Sequence, residues 1–209
     1  MAARRKQSGK KIMKRMKVNI QLLWFIAVCC AAFVPQQAVA HPHVFVEALV
    51  QLEIENGRLK ALHETWSFDE MSSALFLGDL DLNQDGALTP DEWEKLKADI
   101  TGYLHEEGFY THIYAGGKTA GVTRVEHFTA TFSDGMLRYS FTVPLDLPAA
   151  AGEVVKVALY DPTYYTAFFF DERHVTVKGA DKARVVLQEA PELAYYYGQI
   201  VPYAIELEL

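Results

Sequence analysis

VFVEALVQLEIENGRLKALHETWSF, residues 44–68, decides the fold class of this chain. Val44, Val46, Ala48, Val50, Leu52 and Ile54 alternate with Phe45, Glu47, Leu49, Gln51 and Glu53, a period of two that predicts a strand with one buried face. Asn56-Gly57 follows at once and favours the left-handed backbone of a tight hairpin turn, so Leu59 to Phe68 returns as the antiparallel partner. Working outward, Asp134-Gly135 marks a second hairpin between Val122–Phe132 and Met136–Val143. Further strands are expected at Val154–Tyr160, Thr163–Phe170, His174–Val177, Ala183–Leu187 and Tyr203–Leu209. The expected fold is mainly β, an antiparallel β-sandwich or barrel, with a single α insertion.

That insertion runs from about residue 67 to 107, where the period becomes helical. Ser67 and Glu70 have capping-box spacing, and Trp93, Leu96, Ile100 and Tyr103 recur at three to four residues. The loop between the two helices reads DLNQDGALTPDE, residues 81–92. Calcium is a hard cation needing six to eight oxygens, and a twelve-residue loop supplies them from positions 1, 3, 5, 7, 9 and 12. Those positions are Asp81, Asn83, Asp85, the Ala87 carbonyl, Thr89 and Glu92, with Gly86 at the sharp turn and Leu88 pointing to the core. The pattern predicts an EF-hand-like calcium loop; the plain alternative is a solvated acidic turn. With no second such loop to pair with, a structural clip is expected rather than a sensor.

Residues 1–40 read as a signal peptide. Eight basic residues (Arg4, Arg5, Lys6, Lys10, Lys11, Lys14, Arg15, Lys17) and no acidic one precede an apolar run from Leu22 to Val34, too short to span a bilayer comfortably. Ala38-Val39-Ala40 is the small-x-small pattern of a cleavage site, which makes His41 the first residue of a single exported domain, 41–209. The basic region is long, so initiation at Met13 or Met16 and an uncleaved anchor stay open. Losing those eight charges leaves 12 basic against 27 acidic residues, about −15, which argues against nucleic acid or an anionic membrane as partner. Cys29 and Cys30 both lie in the leader, so a metal in the exported domain is held without thiolate.

Cleavage after Ala40 gives His41 a free α-amine beside its imidazole, and the two can close a six-membered chelate ring. With pKa values near ~8 and ~6.5, both donors are available near neutrality. His43, in third position, suggests the amino-terminal copper and nickel motif, but Pro42 has no N–H to deprotonate and blocks that square-planar wrap. His41 and His43 are therefore expected at a zinc, nickel, cobalt or copper site of another geometry, with His63 of the return strand as a third candidate. The alternative is a loose terminal residue and a His43 that opens the first strand on its outer face, in step with Phe45 and Glu47. His105 closes a helix, where a positive charge suits the carbonyl end, and His112, His127 and His174 read as structural histidines at strand positions.

The exported part carries no Gly-x-Ser-x-Gly, no phosphate-cradling glycine loop and no cysteine nucleophile, so an enzyme is not expected. The aromatic run Tyr160–Phe170 and the triplet Tyr195–Tyr197 are either core or an exposed recognition patch.

His41-Pro42-His43-Val44-Phe45-Val46, then Trp66-Ser67-Phe68-Asp69-Glu70, then Asp81–Glu92, then Tyr160-Asp161-Pro162-Thr163-Tyr164 together resemble the bacterial periplasmic family known as domain of unknown function 1007, in the same order. The resemblance implies a periplasmic component of an uncharacterised transport system that accompanies nickel/cobalt-transporter-like permeases. The expected function is thus a periplasmic metal-binding accessory protein of a divalent transition-metal (zinc, nickel or cobalt) system, partnered by an inner-membrane permease and carrying calcium in its loop. The alternatives are a periplasmic copper carrier and a calcium-stabilised structural or protein-interaction module.

Overall fold

A computed structural model describes residues 42–149, 154–181 and 183–208. The expected signal peptide and His41 lie outside the described residues. In chain order the elements are β1 (Val44–Glu55), β2 (Arg58–Phe68), α1 (Glu70–Leu80), α2 (Pro90–Glu106), β3 (Thr111–Ala115), β4 (Lys118–Gly121), β5 (Glu126–Ser133), β6 (Met136–Pro148), β7 (Val155–Leu159), β8 (Thr166–Phe169), β9 (Val175–Lys178), β10 (Arg184–Glu189) and β11 (Tyr203–Glu208).

The opening hairpin forms as its sequence dictates. β1 buries every second residue from Val44 to Ile54, and Glu55 faces Arg58 across Asn56 (φ 52) and Gly57 (φ 70), both in the left-handed region that a two-residue turn requires. Asp134 and Gly135 turn β5 into β6 in the same way. One sheet runs β5-β6-β2-β1-β8, with β9 also on β1; the other runs β10-β11-β7-β3-β4. Residues of both sheets, among them Leu52, Trp66 and Phe141 from the first and Ile113, Val157 and Ile205 from the second, share one hydrophobic core. Each such side chain, once fully buried, contributes roughly 1.5–3 kcal/mol.

The expectation of a barrel is corrected: among the described residues neither sheet closes on itself. Nor is the pairing purely antiparallel. β8 pairs with the first part of β1 (Val44↔Thr166) and β9 with the next (Val50↔Val175), both parallel, so the two act as one edge strand broken by a short turn at Glu172–His174. Several bounds also shift; β3, expected only through the strand position of His112, and β4, not expected, turn about Gly116 (φ 58) and Gly117 (φ 77). The predicted capping box at Ser67 is not formed, because Ser67 still belongs to β2, paired with Glu47. Asp69 caps α1 instead, accepting the Ser72 amide at 2.9 Å.

The helix pair packs on the first sheet. Ser73 of α1 is fully buried; its hydroxyl donates to the Phe68 carbonyl at 3.1 Å and accepts the Leu137 amide of β6 at 2.9 Å. Trp93 of α2 sits against Phe128 and Tyr139, with Leu96 and Ile100 partly covered beside it. Leu88 of the intervening loop also packs on this core, as its position in the loop predicts.

Candidate metal centre

α1 ends at Leu80 and α2 begins at Pro90, so residues 81–89 form a loop between two helices and Pro90, Asp91 and Glu92 belong to the first turn of α2. Asp81 accepts the Asp85 amide at 3.1 Å on one oxygen and the Gly86 amide at 2.6 Å on the other, which draws the loop into a tight coil. Gly86 has φ 83, as the turn demands. Asn83 accepts the Asp85 amide at 2.9 Å, and Asp85 accepts the Ala87 amide at 3.0 Å. Thr89 and Glu92 form a reciprocal cap on α2: Glu92 accepts the Thr89 amide at 2.9 Å and hydroxyl at 2.6 Å, while its own amide points back to Thr89. The other Glu92 oxygen accepts the Asn83 amide at 3.2 Å, tying the two ends of the loop together.

These hydrogen bonds, the Thr89 hydroxyl first, hold the Glu92 carboxyl below the usual carboxylate range, so it is ionised at neutral pH. Among the described residues no three or more His, Cys, Asp or Glu side chains form a group that could clasp a metal ion. The loop's carboxylates lie on its own amides. The donor chemistry nevertheless fits calcium: every candidate donor is oxygen, and a carboxylate oxygen bonded to an amide keeps a free lone pair. Asp81, Asn83, Asp85, the Ala87 carbonyl, Thr89 and Glu92 would hold the ion.

Among the described residues the histidines do not gather. His43 is exposed at the mouth of β1, its ring 5.0 Å from that of Tyr165 and its amide donating to the Tyr165 carbonyl at 2.8 Å. His63 faces outward, opposite to Leu59, because the pairing slips between Leu59 and Ala61 and reverses the phase of β2. Its ring lies 2.8 Å from Glu53 and 3.1 Å from Thr142. It sits across from Gln51, eight residues along β1 from His43, or roughly 26 Å at ~3.3 Å per residue. The register therefore does not bring His63 to His43. His105 lies in the last turn of α2, as expected. His112 stacks on Tyr160 at 3.6 Å between ring centres and donates to its carbonyl at 3.0 Å, and burial pushes its pKa down. His174, rather than opening a strand, closes the short turn before β9 with its ring 3.0 Å from Glu47.

Three segments converge on the start of β1. The Asp69 carboxylate accepts the Phe45 amide at 3.0 Å, and the Tyr165 carbonyl accepts the amides of His43 and Val44. Asp161, almost fully buried, fixes the turn after β7 by accepting the amides of Thr163 and Thr166 at 2.7 and 2.9 Å. A family model described as a protein of unknown function (DUF1007) matches residues 26–194, a span that contains all of these segments and the helix pair. The chain belongs to that family. Among curated proteins this DUF1007 chain is 35% identical, over 127 residues, to an uncharacterized 15.5 kDa protein from the trpE 3' region of Spirochaeta aurantia, an alignment covering 59% of this chain and 91% of that one. It is 30% identical over 141 residues to an uncharacterized protein of Haemophilus influenzae, with 66% of each chain covered.

Sequence reasoning overlooked Asp69 as a joint of this DUF1007 chain and Glu64 as a buried acid; Asp161-Pro162 reads as a turn between strands in the sequence, and the hold of the Asp161 carboxylate on Thr163 and Thr166 is what the structure adds. Asp69 directly precedes α1 and Asp161 directly precedes Pro162, which are local marks of capping and turn residues. Glu64 shares the buried phase of Leu62 and Trp66, a mark that the slip in β2 conceals.

Proposed function

We propose that this protein is a periplasmic metal-binding accessory of a divalent transition-metal transport system, with calcium held by the Asp81–Glu92 loop. The reading is supported by one observation: a loop between two helices, coiled on Asp81 and tied to Glu92 in the first turn of α2, within a twelve-residue segment that carries oxygen at each calcium-ligating position. Zinc, nickel or cobalt binds at the amino-terminal His41, with His43 beside it, and an inner-membrane permease is the partner. The resemblance of HPHVFV and its companion segments to periplasmic components of transport systems supports that context.

Two measurements test it. Calcium at a hundredfold excess over its dissociation constant adds about 2.7 kcal/mol of stability, which raises the melting temperature by roughly 5–10 °C in a domain of this size. A melting temperature that calcium leaves unmoved removes the ion from the loop. For the second metal, protein beginning at His41 is titrated with zinc, nickel, cobalt and copper beside protein beginning Met-His41. Tighter binding by the first assigns the free amine; copper preference over the other three favours a copper carrier.

A second reading, a protein-interaction module, is favoured by an exposed aromatic surface. Phe45 stacks on Phe169 with ring centres 6.0 Å apart, and both, with Tyr203, lie along a groove of about 670 Å3. Absence of any transition-metal binding in either version supports this reading instead.

A further inference from the structure

Between the helix pair and the inner face of the first sheet lies a cavity of about 490 Å3. Trp66, Tyr139 and Phe168 form its floor, and Phe76 of α1 and Leu104 of α2 its roof. That volume falls in the range of about 300–1,000 Å3 typical of small-molecule sites, and the walls are mostly apolar, as such sites are. The calcium reading uses none of this space.

The charges around it have one sign. Asp79 of α1 and Asp99 of α2 are both exposed, and among the described residues they are the only charged ones on the lining, with no lysine, arginine or histidine. Tyr103 and Tyr165, each more than half exposed, add aromatic surface at the same opening. Neither aspartate has an ion-pair partner among the described residues.

This pattern discriminates among ligands. An anionic amphiphile would carry its charge to two carboxylates with no cation to receive it. A neutral apolar molecule would fill the walls but gain nothing from the rim. A bare metal ion would have to leave water for walls of carbon. A cation with an apolar body gains from all three features: burial of the body, ring faces that attract positive charge, and carboxylates for the head.

We propose that this cavity binds an organic cation, its apolar or aromatic body between sheet and helices and its ammonium head at Asp79 and Asp99. The proposal is independent of the metal-binding reading.

Three probes of one shape and different charge test it: 4-phenylbutylamine, 4-phenylbutan-1-ol and 4-phenylbutyrate. Each is titrated into the protein in EDTA, followed by calorimetry and by the fluorescence of Trp66 on the cavity floor. The amine is expected to bind about tenfold tighter than the alcohol, and the acid weakest. Asp79→Asn with Asp99→Asn, changes at exposed positions that leave the melting temperature in place, brings the amine to the level of the alcohol. An acid that binds as well as the amine, an amine preference that survives the double substitution, or no binding of any probe at millimolar concentration overturns the proposal. Running in EDTA separates this outcome from any failure of the calcium loop.

Discussion

Thr111, the first residue of β3, donates its hydroxyl at 3.0 Å to the carboxylate of Glu64 in β2, a bridge between the two sheets with both residues about 1% exposed. The other Glu64 oxygen accepts Nε1–H of Trp66 at 3.0 Å. Burial outweighs these two bonds and pushes the Glu64 carboxyl from 4.5 up to about 7.

The pH dependence of stability follows from that shift. Between about pH 4.5 and 7 the folded chain keeps a proton that the unfolded chain releases, so stability falls as pH rises through the window. At about 1.4 kcal/mol per pH unit the loss is about 3 kcal/mol. Glu64→Gln retains an acceptor for Trp66 and cannot ionise, so its advantage over the parent should grow from pH 5 to 7 and then level off. Chemical denaturation across pH checks this, and a difference that is the same at pH 5 and pH 8 would falsify it.

Ser73 serves two buried backbone groups, the Phe68 carbonyl and the Leu137 amide. Ser73→Ala strands the Leu137 amide and the Phe68 carbonyl in the core. Leaving such groups unpaired costs about 1–3 kcal/mol. Urea midpoints should therefore drop with an unchanged m-value, whereas a substitution at exposed Ala74 should not move them.

At Gly179 the chain leaves β9 with φ +88, and an added Cβ would meet the Ile54 carbonyl oxygen at 2.0 Å. Gly179→Ala thus combines left-handed strain with a backbone clash and should cost about 3 kcal/mol or more. A thermal melt within a degree or two of the parent would show that the β1–β9 edge yields freely.

In the Asp81–Glu92 segment, proposed above to hold calcium, Asp81→Asn leaves one oxygen to receive the Gly86 and Asp85 amides and removes the charge. Calcium affinity should fall at least tenfold, with a smaller change in the stability of the protein in EDTA. Equal calcium affinity in parent and variant would count against the loop as the binding site.

His63 holds Glu53 and Thr142, far along β1 from His43. His63→Gln should leave zinc, nickel and copper affinity unchanged, while His43→Ala lowers it if His43 completes the amino-terminal chelate. Competition titrations with a chromophoric chelator read both.

The parts legible in the sequence are the local ones. Alternation in β1 and the Asn56-Gly57 turn carry their meaning within a few residues, and each is found where the pattern puts it, as is the pair of helices on either side of residues 81–89. The parallel pairing of β1 with Thr166–Phe169 and Val175–Lys178 leaves no mark at either strand, because a parallel partner imposes no turn between neighbours. The slip at Lys60 is subtler. Leu59 and Ala61 set one phase, Leu62, Trp66 and Phe68 the other, so the phase of Leu59 does not carry through to His63, which faces outward while Glu64 is buried. The distance between His43 and His63 could not be read in the same way, since it depends on register.

The pairing of β1 with β8 and β9 also governs when the fold can form. Gln51 meets Thr176 across 125 positions of chain, so β1 cannot gain its second neighbour until most of the polypeptide has been made. Closing a loop of that length before any contact rewards it slows folding. The hairpin of β1 and β2 then waits with one edge bare, and the last third of the chain acts as the latch that retires an aggregation-prone border.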